Sequence, residues 1–108
     1  MIHDVTTDEV FAALSNPARR EVLRLLLDGP KTVGEMAEHF DMRRPSLSEH
    51  LKVLRDAGLA SERKSGRHRF YSLEVDPLRE ISHWLSPYER FWRQKLGDLS
   101  TMLDEEDF

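Results

Sequence analysis

Apolar residues recur at helical spacing through the first half of the chain, and each run is opened by a capping residue and closed by a breaker. Val10, Phe11 and Leu14 share one face of a short helix expected over residues 7–15, and Thr6-Thr7-Asp8-Glu9 before it has capping-box spacing. Asn16-Pro17 supplies a cap and a first-turn proline for a second helix, whose apolar face is Val22, Leu23, Leu25 and Leu26 and which Asp28-Gly29-Pro30 stops. Thr32-Val33-Gly34-Glu35 is another capping box, opening a third helix through Met36, Ala37 and Phe40. After a short turn at Asp41-Met42, Pro45 restarts the chain. Leu47, Leu51 and Leu54 form the buried stripe of a fourth helix over residues 44–57, which Gly58 ends where a left-handed residue is wanted.

Beyond Leu59 the pattern changes to two short extended stretches, 60–64 and 68–73, joined by Ser65-Gly66-Arg67, which reads as a hairpin. Tyr71 and Leu73 lie on one face of its second strand and are expected to cover the core. Asp76-Pro77 then opens a fifth helix through Leu78, Ile81 and Leu85. Ser86-Pro87-Tyr88-Glu89 again has capping-box spacing, so a break is expected there and a sixth helix after it, with Trp92, Leu96, Leu99 and Leu103 recurring at four, three and four. The fold class is mainly α with a small β-hairpin, in the order α-α-α-α-β-β-α-α, as one domain over residues 1–108.

Composition narrows the function. At 108 residues, 39% hydrophobic and 33% charged, the chain suits a soluble domain with one modest core. It has no cysteine, which removes disulfides, thiolate metal sites and cysteine nucleophiles. No apolar run is long enough to span a membrane, and the start has neither the basic nor the hydrophobic stretch of a signal peptide, so a cytoplasmic location is expected. The net charge of −4 argues against a nucleic-acid partner until it is divided along the chain. Residues 43–69 hold eight bases and three acids, a local balance of +5, whereas residues 74–108 hold four bases and nine acids. A basic middle is bracketed by acidic flanks.

Two capped helices joined by a tight turn, the second followed at once by a basic hairpin, form an arrangement that holds a helix in the DNA major groove while the hairpin reaches the flanking backbone. The residues that carry this order are Phe11-Ala12-Ala13-Leu14-Ser15-Asn16-Pro17-Ala18-Arg19-Arg20, Thr32-Val33-Gly34-Glu35-Met36-Ala37, and the run from Pro45-Ser46-Leu47-Ser48-Glu49-His50-Leu51 to Leu59. In these the chain resembles the ArsR-type winged helix-turn-helix regulators, most strongly between Phe11 and Leu73. The segment from Trp84 to Trp92 is similar to the branch of that family without metal ligands. The resemblance implies a homodimer that binds a short inverted repeat in double-stranded promoter DNA and represses it. It also places a recognition helix at residues 44–57 and a wing at 60–73.

On the recognition helix, Arg43 and Arg44 stand at the beginning, where an arginine can pair with guanine or clamp a phosphate. Ser46, Ser48, Glu49 and Lys52 are assigned to the DNA side, opposite the leucines. Glu49 departs from the many relatives with a non-acidic residue there; it either accepts from cytosine N4 or faces away. His50, next to Leu51, reads as a packed or exposed histidine. Thr32 can offer its hydroxyl and backbone to a phosphate through the helix dipole, serve as an ordinary cap, or do both. Lys64, Arg67, His68 and Arg69 are the wing candidates, Arg69 having the alternative of pairing with an acid.

A single recognition helix spans one half-site, so two-fold symmetry is expected. Phe11, Leu14, Tyr88, Trp92, Leu96, Leu99 and Leu103, on segments 7–15 and 77–103, are the interface candidates, because the C-terminal stripe is longer than one small domain is expected to cover; a role in the core is the alternative. No metal or other cofactor is expected. His83 has only Glu80 one turn earlier, and adding His3 from a partner does not complete a convincing tetrahedral site. Nor is an enzyme expected: Ser46, Ser48 and His50 have no third group to orient the histidine and no glycine-rich elbow. Two other readings are a ligand- or metal-responsive repressor, for which the sequence indicates no particular effector, and a winged-helix protein-interaction module that has lost DNA binding.

Overall fold

In the computed structural model, which describes residues 6–106, the helices are α1 (Thr7–Leu14), α2 (Pro17–Leu26), α3 (Val33–Ala37), α4 (Arg44–Asp56) and α5 (Asp76–Glu106), with strands β1 (Ala60–Ser65) and β2 (His68–Leu73) between the last two. Local chemistry sets the first three starts. Thr6 Oγ1 accepts from the N–H of Glu9, and Asn16 Oδ1 accepts from the N–H groups of Ala18 and Arg19 at 2.8 and 3.3 Å. Thr32 and Glu35 close a reciprocal capping box. Gly58, at φ 75°, ends α4 in the left-handed region, and the N–H of Leu59 returns to the carbonyl of Leu54 at 2.9 Å.

The apolar stripes of these helices meet in one core. Val10, Val22, Met36, Leu47, Leu51, Leu54 and Leu59 are fully buried, and Tyr71 closes the core from β2. Each large side chain so buried contributes about 1.5–3 kcal/mol. Arg19 fastens α1 to this body: its Nε and Nη2 donate to the carbonyls of Ala13 and Ala12 at 2.6 and 3.1 Å, at the end of α1, where the C-cap Ser15 also bonds the Ala12 carbonyl. Its Nη1 lies 3.3 Å from His50 Nδ1, so His50 is a packing residue between α2 and α4. α3 is shorter than the sequence pattern suggests. It stops at Ala37, and Phe40 follows in a turn, where its N–H bonds the carbonyl of Ala37 while its ring still packs on the core.

The hairpin pairs Ala60 with Leu73 through to Ser65 with His68, turning at Gly66 with φ 62°. Its other edge is joined to the body. Lys31 and Tyr71 exchange two backbone hydrogen bonds of 3.0 and 2.8 Å, an isolated antiparallel bridge immediately before the Thr32 cap. Glu62, across from Tyr71, accepts from Arg55 Nη1 of α4 at 2.7 Å.

The expected order α-α-α-α-β-β-α-α is corrected at its end, because α5 is one 31-residue helix with Pro87 inside it. Proline removes a single backbone donor, the one that would reach the carbonyl of His83, and on an exposed helix water can take that carbonyl. Leu78 and Ile81 pack against the core, and Phe11 of α1 meets Trp84 edge to face at 5.4 Å. Every side chain from Pro87 to Leu103 is exposed. The radius of gyration, 19.0 Å against about 13 Å for a compact domain of this length, reflects this projecting helix.

Leu51→Ala empties a fully buried site in the core, and it is expected to cost about 2–5 kcal/mol in denaturant unfolding.

Candidate nucleic-acid interface

α4 differs from the three helices before it. Arg43 occupies its N-cap, makes no side-chain capping bond, and is followed by Arg44 and Pro45. Two cations therefore stand at the positive end of a helix whose first N–H groups are uncapped, a locally unfavourable arrangement that a bound anion would relieve. Arg43, Arg44, Lys64 and Arg67 form no ion pair among the described residues. Ser46, Ser48, Glu49 and Lys52 are exposed on the side of α4 away from the buried Leu47, Leu51 and Leu54. Lys52 pairs with Asp56 at 3.2 Å across one turn.

The beginnings of α3 and α4 and the wing border one cleft of about 370 Å³, lined by Thr32, Gly34, Arg44, Arg67, His68 and Arg69 among others. Five candidates from three separate stretches of sequence are thus brought together. Thr32 is a cap first: its N–H and Oγ1 both donate to Glu35 Oε1 at 3.1 Å, and Oγ1 accepts from the N–H of Glu35 at 3.2 Å. The cap role read from the sequence thus engages both its hydroxyl and its N–H. Those same bonds, led by the Thr32 N–H, hold the Glu35 carboxyl below its ordinary value, with smaller help from Lys31 and His68. Arg69 lies 3.6 Å from Glu62, so its charge is partly answered from within the hairpin. Burial raises the Tyr71 hydroxyl pKa, and the neighbouring Glu62 raises it further.

Sequence reasoning passed over Arg63, exposed on β1, although it was counted in the basic stretch. It also missed Gly34 and Arg55. Arg55 is half-buried against Glu62, so this base supports the hairpin from α4 and is not a free surface charge.

Of the interface candidates, Phe11 and Leu14 are partly buried, Leu14 against the core and Phe11 against Trp84. Tyr88, Trp92, Leu96, Leu99 and Leu103 remain uncovered within the single chain, Trp92 at 63% and Leu96 at 47% exposure, along with Phe91 and Met102. His83 and Glu80 flank a shallow cleft with Asp8, but among the described residues no three His, Asp or Glu side chains are grouped to hold a metal ion, and His3 lies outside those residues. No described helix is long and apolar enough to cross a membrane.

Comparison with known proteins agrees with this architecture. Residues 16–62 match the family model described as bacterial regulatory protein, arsR family. The chain is 40% identical over 78 residues to the transcriptional repressor SdpR of Bacillus subtilis, covering 72% of this chain and 87% of that protein. It is 34% identical over 99 residues to the HTH-type transcriptional regulator Rv2034 of Mycobacterium tuberculosis, covering 92% and 90% of the two chains. Among solved structures, the ArsR family transcriptional regulator RHA00566 superposes with a TM-score of 0.72 at 36% identity, covering 86% of this chain and 97% of that one.

Thr32→Ala is expected to lower stability by about 1 kcal/mol at neutral pH. The Glu35 contribution has a defined sign: because its pKa is lowered in the folded state, it is fully present above the ordinary value of 4.5 and lost as pH falls through the lowered one. The unfolding midpoints of wild type and Glu35→Ala should therefore converge in acid.

Proposed function

Because the chain belongs to the arsR family of bacterial regulatory proteins, we propose that this DNA-binding transcriptional regulator acts as a homodimer on an inverted repeat in a promoter and represses transcription from it. The family and these relatives are transcriptional regulators, not enzymes. The observation that carries the reading is the convergence of Arg44, Arg67 and His68 on one cleft beside an uncapped, doubly basic start of α4. In this reading α4 lies in the major groove, Ser46, Ser48 and Glu49 face base edges, and Arg43, Lys52, Lys64, Arg67, His68 and Arg69 meet the backbone. Thr32 contributes by fixing the start of α3.

The uncovered stripe of α5 supports the dimer. A row of exposed large apolar side chains over about five turns is more than a monomer in water normally leaves open. Pairing α5 with its copy, with α1 alongside, would bury the row and set two α4 helices on one side of the assembly. Repression follows if the bound dimer occludes the promoter, a role supported by the name of the Bacillus subtilis relative. Acting on the chromosome places the protein in the cytoplasm.

Binding-site selection from random duplexes, followed by a promoter reporter, tests the function; an inverted repeat and a signal that rises on deletion of the gene are expected. Affinity should fall with salt at a log-log slope of about −0.9 per phosphate contact, and Arg67→Ala should weaken all duplexes alike. Binding indifferent to salt contradicts the reading. Leu96→Glu should shift the protein to monomer in sedimentation and largely abolish operator binding with helix content intact, since each interface leucine contributes about 1.5–3 kcal/mol per subunit. A dimer that persists and binds normally would show the interface to lie elsewhere.

A further inference from the structure

We propose that Gly34 is the seat of Arg44, and that the seated arginine is a clamp for a DNA backbone phosphate and not a reader of bases. The proposal deepens the DNA-binding reading above and rests on it.

A Cβ at position 34 would lie only 3.3 Å from Arg44 Nη2, so the guanidinium lies against the bare α-carbon of α3's second residue. That placement holds the guanidinium beside α3. It directs the charge across α3, onto the cleft it shares with Arg67 and His68. A base contact needs the side chain extended into the groove. A charge held between helix and wing instead faces the place where a phosphate backbone would pass. Arg44 makes no hydrogen bond or ion pair among the described residues, so its donors are open to an incoming anion. The nearby Glu35 carboxylate is occupied by Thr32.

Glycine has no other evident reason to be at position 34. Its φ is not positive, unlike those of Gly29, Gly58 and Gly66, so the backbone there is open to any residue. Within a helix, glycine is about 1 kcal/mol less favourable than alanine. Room for Arg44 is what a side chain would remove, and the tightest contact of such a side chain is with the far end of a flexible arginine, which can swing out at little cost to the fold.

The test compares the salt dependence of duplex binding by wild type, Gly34→Leu, Arg44→Ala and the double variant, with circular dichroism and thermal unfolding as controls. Leucine is a good helix former, so α3 should be retained; Gly34→Ala, milder still, keeps the test open if the leucine variant folds poorly. Gly34→Leu is expected to lower the slope by about 0.9 per half-site, one phosphate contact, as Arg44→Ala does, while leaving base preference unchanged. In the Arg44→Ala background it should have no further effect. An unchanged slope in Gly34→Leu would overturn the assignment. So would a further loss in the double variant, which would mean that the glycine admits the DNA itself, or a change of preference at one base position in Arg44→Ala. Failure of the wild type to bind any duplex would overturn the DNA-binding reading together with this one, whereas the other failures leave that reading intact.

Discussion

The pairing of Tyr71 with Lys31 is the contact on which the geometry of the basic face depends. A hairpin alone is marginal in water and would swing about its connections. Here two backbone hydrogen bonds fix β2 to the residue just ahead of α3, and the Tyr71 ring is buried among the leucines of the core. On the other strand, Glu62 is gripped by Arg55 from the last turns of α4. Wing, α3 and α4 are thus joined at two points. The cations at the hairpin tip consequently keep a set distance from those at the start of α4, as a surface must if it is to match the spacing of phosphates along a duplex.

A second constraint is size. A chain of 108 residues with one core has little apolar surface left to cover a helix of 31 residues, and α5 is covered only where Leu78, Ile81 and Trp84 meet the body. The remainder of α5 is left uncovered within the chain, and the proposed dimer would bury it. Charge is divided in the same sense: the acidic balance belongs to the flanking segments and the basic one to α4 and the hairpin, so the negative total does not describe the face that would meet DNA.

Much of this was legible in the sequence because it is local chemistry. Asn16-Pro17, Thr32 with Glu35, and Gly58 mark helix ends by hydrogen bonds and backbone angles that depend on a few adjacent residues, and the leucine spacing in α4 reports directly which face is buried. Ser86-Pro87 misled because a proline at a helix start and one inside an exposed helix look alike in a linear pattern; no packing beyond Leu85 bends the chain there. The Lys31–Tyr71 bridge has no periodicity to reveal it, being one residue against one. Thr32 was recognisable as a cap, but not as one whose donors are both consumed. The candidates from α3, α4 and the wing could be named singly. That Arg44 lies over Gly34, or that Arg55 turns inward to Glu62, follows only from how the helices cross.

In the proposed function, α4 and the wing form one rigid DNA-binding surface separate from the α5 stripe. Backbone amide shift mapping during titration with an operator duplex tests it most directly. Changes are expected to concentrate at Gly34, at residues 43–52 and at residues 63–69, rising together with one binding curve, with little change from Trp92 to Leu103. Changes centred on α5, or wing and α4 responding at different DNA concentrations, would contradict it.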